Sequence, residues 1–442
     1  MKLAAVGVGN AGSRVVNRIL ATEKASNRTL CGGDALLVNS TAPTFDTTEH
    51  VPEERRLTIG DAYWEVDEID VDGDPDLGAD IAREERNEIN RAFDLIDFQR
   101  IDGVLVIAGL GGGTGGGAGS VVIDQLKSIC DVPVYAVGVL PGASEGPRPA
   151  LTAARSLQSF VDRADNVILF DNDTWLPDDP WRVSATDAED VDGLDDVVEA
   201  EETVAGDAAD ATVATDGAGE PGEARETDGT EVDDDRLMEA YGRANVELAE
   251  RLVALFAAGG MEGAVTSETQ LDPSDIMRML DTGGVSSIGY ASIDLPSSGG
   301  LTGWLRTLRE LLPWTGDEAT DDDEATDAAR INGLVRRAAR SKLTLPCEMA
   351  SADRALIVLS GPPGTLSRKG FESGRYWLER EADIVDVMAG DEPHDGSATL
   401  TGVVLFSNVT DVPRIDAMQE LALEHQPTPT DGGWRFGMTQ PS

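Results

Sequence analysis

Apolar residues in the first 176 positions gather into short runs at Leu3–Val8, Ala35–Val38, Val104–Ala108, Val132–Val139 and Val167–Phe170, with helix-like segments between them. Uninterrupted apolar runs of this length predict strands buried on both faces, and their alternation with helices predicts a doubly wound, mostly parallel α/β sheet. From Asp235 to Ala258 the period changes. Leu237, Tyr241, Leu248, Leu252, Leu255 and Phe256 fall at helical spacing and predict a long, largely buried central helix over 235–258. Beyond it, a helix over Ala328–Ser341, a strand over Ala355–Leu359, a helix over Ser367–Glu381 and a strand over Leu400–Phe406 predict a smaller carboxy-terminal α/β domain within 259–425. Residues 426–442 are expected to form a flexible tail.

Two stretches break this patterning. Residues 178–235 carry 22 acids against Arg182 and Arg225 as their only bases, with almost no aromatic residues, so a disordered acidic insertion is expected over 177–234. A second acidic loop is expected over 316–327. The whole chain has 442 residues and a formal net charge of −47. The insertion accounts for 20 of those negative charges, so the acidity also spreads over the folded parts, as in proteins of a salt-rich cytoplasm. Such a charge excludes nucleic acid and anionic membranes as partners. Three scattered cysteines and three scattered histidines show no ligand spacing, which predicts no disulfide framework and no metal cluster. No apolar run is long enough to span a membrane, and Met1-Lys2 leads straight into the first strand, so a cytoplasmic protein is expected.

The chemistry concentrates in glycine. Residues 109–119 read Gly-Leu-Gly-Gly-Gly-Thr-Gly-Gly-Gly-Ala-Gly, directly after the run ending at Ala108 and before a helix-like segment, Ser120–Ile129. With so little side chain, the N–H groups of Gly111, Gly112, Gly113, Thr114, Gly115, Gly116 and Gly117 can approach an anion closely, and the start of the next helix adds to the attraction. The run lacks the lysine of a P-loop. A flexible linker would not sit between a fully apolar strand and an apolar helix. Gly9-Asn10-Ala11-Gly12-Ser13 repeats the arrangement after the first strand as part of a Gly-x-Gly-x-x-Gly pattern. The second strand ends in Asn39-Ser40-Thr41, where dinucleotide enzymes place a ribose-binding acid, which weakens an NAD reading. Two such loops in one sheet point instead to a nucleotide with several phosphates.

Gly111–Gly117 matches the Gly-Gly-Gly-Thr-Gly-x-Gly hallmark of the tubulin/FtsZ superfamily, which the chain resembles throughout both domains. Within it, Gly361-Pro362-Pro363, Leu366–Gly370 and Thr410-Asp411-Val412-Pro413-Arg414 look most like the CetZ group of halophilic archaea. The resemblance implies a tubulin-like GTP-binding protein that assembles head to tail, alone or with related proteins. It further implies GTP or GDP with Mg²⁺ at the junction, slow or assembly-dependent GTPase activity, and a role in cell shape. By resemblance, Gly9–Ser13 and Asn39 form the first two nucleotide loops. Pro141–Gly146 forms the ribose loop with Glu145 as its acid, Asn172 contacts guanine or ribose, and Tyr241 and Asn245 hold the base. Four residues apart on a helix, Tyr241 and Asn245 share a face, so a ring can stack on a purine while an amide reads its edge.

Gln270–Asp275 resembles the superfamily's synergy loop, within 267–275, which reaches into the next subunit's pocket and would make Asp272 and Asp275 catalytic. The same residues also suit a helix start, with Asp272 as N-cap, Pro273 at the first position and Asp275 closing a capping pair. Both readings stay open. Glu65–Asp74 is acidic where relatives carry a glycine-rich third loop, so a non-polymerising GTP-binding regulator is the alternative.

Overall fold

The apolar runs of the first half form strands in the computed structural model, which describes residues 1–40, 45, 47–60, 73–176, 229–258, 271–295, 319–394 and 397–424. They are β1 (Leu3–Val8), β2 (Ala35–Asn39), β4 (Gly103–Gly109), β5 (Val134–Leu140) and β6 (Asn166–Asp171), with a short β3 (Arg56–Thr58) at one edge. β7 (Val285–Asp294), β8 (Ala352–Gly361), β9 (Asp386–Pro393) and β10 (Thr399–Val409) follow. The ten strands run in the order β3-β2-β1-β4-β5-β6-β7-β10-β8-β9. The first six are parallel. β7 joins β6 in parallel through two residue pairs, Val167 with Val285 and Ile168 with Ser286, whereas β10 pairs antiparallel with both β7 and β8 along most of its length.

Alternate side chains along each strand divide the core between two faces. Leu105, Ile107, Val137 and Ile168 point toward α1 (Gly9–Ser26), α7 (Gly229–Phe256) and α8 (Pro273–Leu280), packing on Val16, Ile19, Leu248, Leu252 and Met279. Val104, Val106 and Ala136 face the other way, toward α2 (Pro75–Glu84), α3 (Arg86–Phe93), α4 (Gly119–Ile129) and α5 (Pro147–Val161). The same face of the carboxy-terminal strands is covered by α9 (Ala319–Arg340) and α10 (Arg368–Ala382), through Ile331, Val335, Phe371 and Leu378. Burial of both faces is why the central strands read as unbroken apolar runs. α6 (Asn172–Trp175) follows β6, and α11 (Pro413–Glu424) follows β10.

Residues 1–175 and 244–442 make one compact unit, and residues 176–243 another. Within the smaller unit the described helical residues 229–243 include an i,i+4 ion pair between Arg243 and Glu239.

Two expected boundaries shift. The central helix begins at Gly229 rather than Asp235, and residues 319–327, expected in an acidic loop, belong to α9. Most of the expected insertion (177–228), the tail 426–442 and most of the third loop (61–72) lie outside the described residues.

Candidate functional site

The strand order reverses between β1 and β4, because β2 and β3 lie to one side of β1 while β5 and β6 continue beyond β4. A crevice opens there at the carboxyl ends of the strands, since the helices that follow the two strands leave toward opposite faces. Both glycine-rich loops leave the sheet at this point.

After β1, Gly9 takes φ +72° and opens α1 with no side-chain cap on the helix start. A Cβ on Gly9 would come within 2.9 Å of the Gly115 nitrogen, and one on Gly12 within 2.1 Å of the Ile107 carbonyl oxygen. After β4, one wide helical turn, Thr114–Ala118, runs directly into α4, and neither start carries a side-chain cap. The first N–H groups of a helix have no intrahelical partner, so two uncapped starts beside one another present a concentrated set of donors. The two loops are tied through the end of β2. The Ser40 hydroxyl bonds Thr114 Oγ1 at 2.7 Å, and the buried Asn39 donates from Nδ2 to Asn10 Oδ1 at 2.8 Å. Asn39 therefore orients Asn10, which is exposed, rather than facing outward itself. Ser13 is fully buried on the first turn, and its hydroxyl has no partner among the described atoms.

The glycine run divides into two functions. Gly112 is exposed, and a Cβ on it would meet only the Gly109 carbonyl oxygen, at 3.9 Å. Its neighbours are confined by packing. A Cβ on Gly111 would press on Pro141 and Pro149 at 3.1 Å. One on Gly115 would lie 2.3 Å from the Gly109 oxygen, one on Gly116 2.2 Å from Ser156 Oγ, and one on Gly117 2.0 Å from the Pro75 oxygen. α2 leans onto this loop through its own Gly78, whose Cβ would lie 2.3 Å from the Gly113 oxygen. Gly117→Ala is therefore expected to destabilise the fold by about 1–3 kcal/mol through overpacking. Gly112→Ala should leave the melting temperature nearly unchanged and weaken anion binding alone. Parallel thermal melts and nucleotide titrations check both.

The loops expected to hold ribose and base are arranged around ion pairs. Glu145 is exposed, and its Oε1 accepts from the Gly142 N–H at 2.7 Å, closing its own turn. Asn172 is buried at the start of α6, one residue after Asp171. Sequence reasoning assigned no role here to Arg414, near the start of α11. Its guanidinium reaches Asp171 Oδ1 at 3.0 Å and Asp173 Oδ2 at 2.8 Å, and donates to the Pro141 carbonyl oxygen at 2.8 Å. In the sequence Arg414 stands out only as the end of the Thr410–Arg414 stretch, and nothing local pairs it with Asp171 and Asp173, more than 240 residues away. Burial pushes the Asp171 carboxyl up from its ordinary range even with this guanidinium beside it. Tyr241 and Asn245, both half-buried, lie one turn apart on α7.

Asp272 and Asp275 are not brought to these loops. They open α8 as a reciprocal capping box, with Asp272 Oδ1 accepting from the Asp275 N–H and Asp275 Oδ2 from the Asp272 N–H, both at 3.1 Å. A hydrogen bond from the Ser274 hydroxyl holds the exposed Asp272 carboxyl below its ordinary range. Ser274 and Arg278 line an open cleft with Pro133 and Asp165, which precede β5 and β6. α8 therefore starts at the edge where the parallel strands begin, across the sheet from the glycine loops.

Among the described residues, no group of three or more His, Cys, Asp or Glu side chains could hold a metal ion, and no helix is long and apolar enough to cross a membrane.

The GTPase-domain model of the tubulin/FtsZ family matches residues 2–177, and the model of the tubulin-like CetZ carboxy-terminal domain matches residues 234–424. Tubulin-like protein CetZ1 of Haloferax volcanii is 36% identical over 430 residues, covering 96% of this chain and 93% of the relative. The solved GDP-bound monomer of CetZ1 from that organism superposes with a TM-score of 0.70 at 33% identity, over 96% of this chain and 99% of that one. The GTPγS-bound protofilament of its CetZ2 gives a TM-score of 0.67 at 26% identity, over 96% and 98% of the two chains.

Proposed function

We propose, for a chain that belongs to the CetZ family of tubulin-like proteins, that it binds GTP and GDP at the crevice between β1 and β4 and assembles head to tail into GTP-dependent cytoskeletal polymers that serve cell shape. The observation that carries this reading is the pair of uncapped helix starts, α1 and the turn before α4, tied through the end of β2 by the 2.8 Å bond from Asn39 to Asn10 and the 2.7 Å contact between Ser40 and Thr114. That arrangement fits a polyphosphate on physical grounds. Backbone donors converge, Gly112 leaves room for an anion, and no carboxylate caps either helix start. The relatives supply the rest of the support, one solved with GDP and another as a GTPγS-bound protofilament.

In this reading Gly9–Ser13 and Gly111–Gly117 hold the phosphates, with Asn39 steering Asn10 toward them. Glu145 and Asn172 meet the ribose side, and Tyr241 and Asn245 take guanine. Mg²⁺ would be carried by the phosphates themselves, where it would offset their charge during hydrolysis. Asp272 and Asp275, at the far edge of the sheet, act on the nucleotide of the neighbouring subunit, since a head-to-tail contact joins one subunit's strand ends to the next subunit's strand starts. In the same reading the chain self-assembles in the cytoplasm.

Sedimentation at about 1 M KCl, where charge repulsion is screened, tests this function. A pellet that forms with GTP and not with GDP is the expected result. Guanine-nucleotide binding without any pellet would make the chain a non-polymerising regulator of other filaments. Asn245→Ala should lower the preference for GTP over ATP by about tenfold, equivalent to about 1.4 kcal/mol, as read by competition binding. Equal competition by ATP and GTP in the unmodified protein would overturn the base assignment.

A further inference from the structure

Arg414 occupies the second position of α11, where the helix dipole disfavours a cation, so the helix itself does not account for its presence. Its guanidinium is instead engaged by acceptors from two separate loops. Nε bonds the Asp171 carboxylate at the end of β6, while Nη2 reaches Asp173 and donates to the Pro141 carbonyl beyond β5. Asp173 in turn accepts from the Ala143 N–H, so guanidinium and carboxylate together grip the loop from two sides. The Asp171 side chain is 4% exposed and that of Arg414 19%. A rigid, forked donor in a nearly sealed position sets geometry as well as charge. The loops it joins are the ones that carry Glu145 and Asn172, and the Glu145 carboxylate closes onto Gly142, next to Pro141.

We infer that Arg414 is a positioning residue for the nucleotide's sugar. By clamping residues 141–143 against residues 171–173 it holds Glu145 and Asn172 in register with the ribose without touching the nucleotide itself. The inference rests on the proposed GTP site and adds to it a carboxy-terminal residue on which sugar recognition depends.

The test uses the full chain in high salt, with calorimetric titration of GTP and of 2′,3′-dideoxy-GTP, which lacks the sugar hydroxyls. Arg414→Gln is expected to weaken GTP binding about tenfold, or about 1.4 kcal/mol, and to change dideoxy-GTP binding little, so that discrimination between the two collapses. Arg414→Lys keeps the charge beside Asp171 but cannot span all three acceptors, and should fall between. A residue that only supports folding would lower the melting temperature and the competent fraction for both nucleotides, leaving their affinity ratio unchanged, and that result overturns the inference. Should Arg414→Gln not fold, Asp173→Asn removes one arm of the clamp at a partly exposed carboxylate and is expected to shrink the same ratio. An unchanged ratio there is equally decisive against the role. Failure of the unmodified chain to bind guanine nucleotides is a separate result, which overturns the proposed function and this role with it.

Discussion

Asp275→Ala is expected to bind GTP as tightly as the unmodified chain and to hydrolyse it about a hundredfold more slowly, the low end of the effect of losing a general acid–base group. The proposed GTP site lies at the carboxyl ends of β1 and β4, whereas Asp275 opens α8 beside the segments that precede β5 and β6. Binding and turnover therefore separate. The capping box complicates a simple alanine scan, since Asp275 Oδ2 also accepts from the Asp272 N–H. Asp272→Asn resolves this. Asparagine caps a helix as well as aspartate does, so stability should hold, while Ala at the same place should cost about 1 kcal/mol. Turnover lost in Asp272→Asn with an unchanged melting temperature assigns the carboxylate to chemistry. Mixing Asp275→Ala with Thr114→Trp, which fills the phosphate loop, should recover part of the phosphate release, because an intact pocket on one chain can then meet intact carboxylates on another. Native turnover in both aspartate variants would reduce the pair to helix caps.

Lowering the salt from about 1 M to about 50 mM should loosen or unfold the protein, as the screening length grows from about 3 Å to beyond 10 Å. The formal charge of −47 includes 20 from the acidic segment 178–235, and the remainder lies on the rest of the chain. Buried carboxylates there have partners, as Glu392 has in Arg28 and Asp171 in Arg414. Such pairs offset only their own charge. Circular dichroism followed through the salt range is the measurement, with loss of the helical signal at low salt expected. A fully retained spectrum at about 50 mM would mean that the acidity serves solubility and not compaction.

The amino-terminal strands were legible because two-sided burial writes them as apolar runs, and β1 matches its expected bounds from Leu3 to Val8. β7 and β9 were not. β7 alternates serines and glycine with apolar residues, and β9 reads Asp-Val-Met-Ala-Gly-Asp-Glu-Pro at the edge of the sheet, where one side needs no partner and a proline is tolerated. Both are held by long-range pairing rather than by local preference. The glycine loops announced themselves through composition, but the sequence could not separate Gly112, which faces open space, from Gly117, which packs against Pro75. That difference depends on where α2 comes to rest.

The seam between β6 and β7 has a mechanical consequence. A plate ten strands wide is stitched near its middle by two rungs, at Val167–Val285 and Ile168–Ser286, while β7 and β10 share eight and β10 and β8 another eight. Each rung adds only modest net free energy, so the stiffness of the plate follows the number of rungs that must distort together. Under load along a row of subunits, the strand pairing is thinnest at this seam, so resistance to bending there falls on contacts outside the ladder, such as the Arg414 clamp on Asp171 and Asp173.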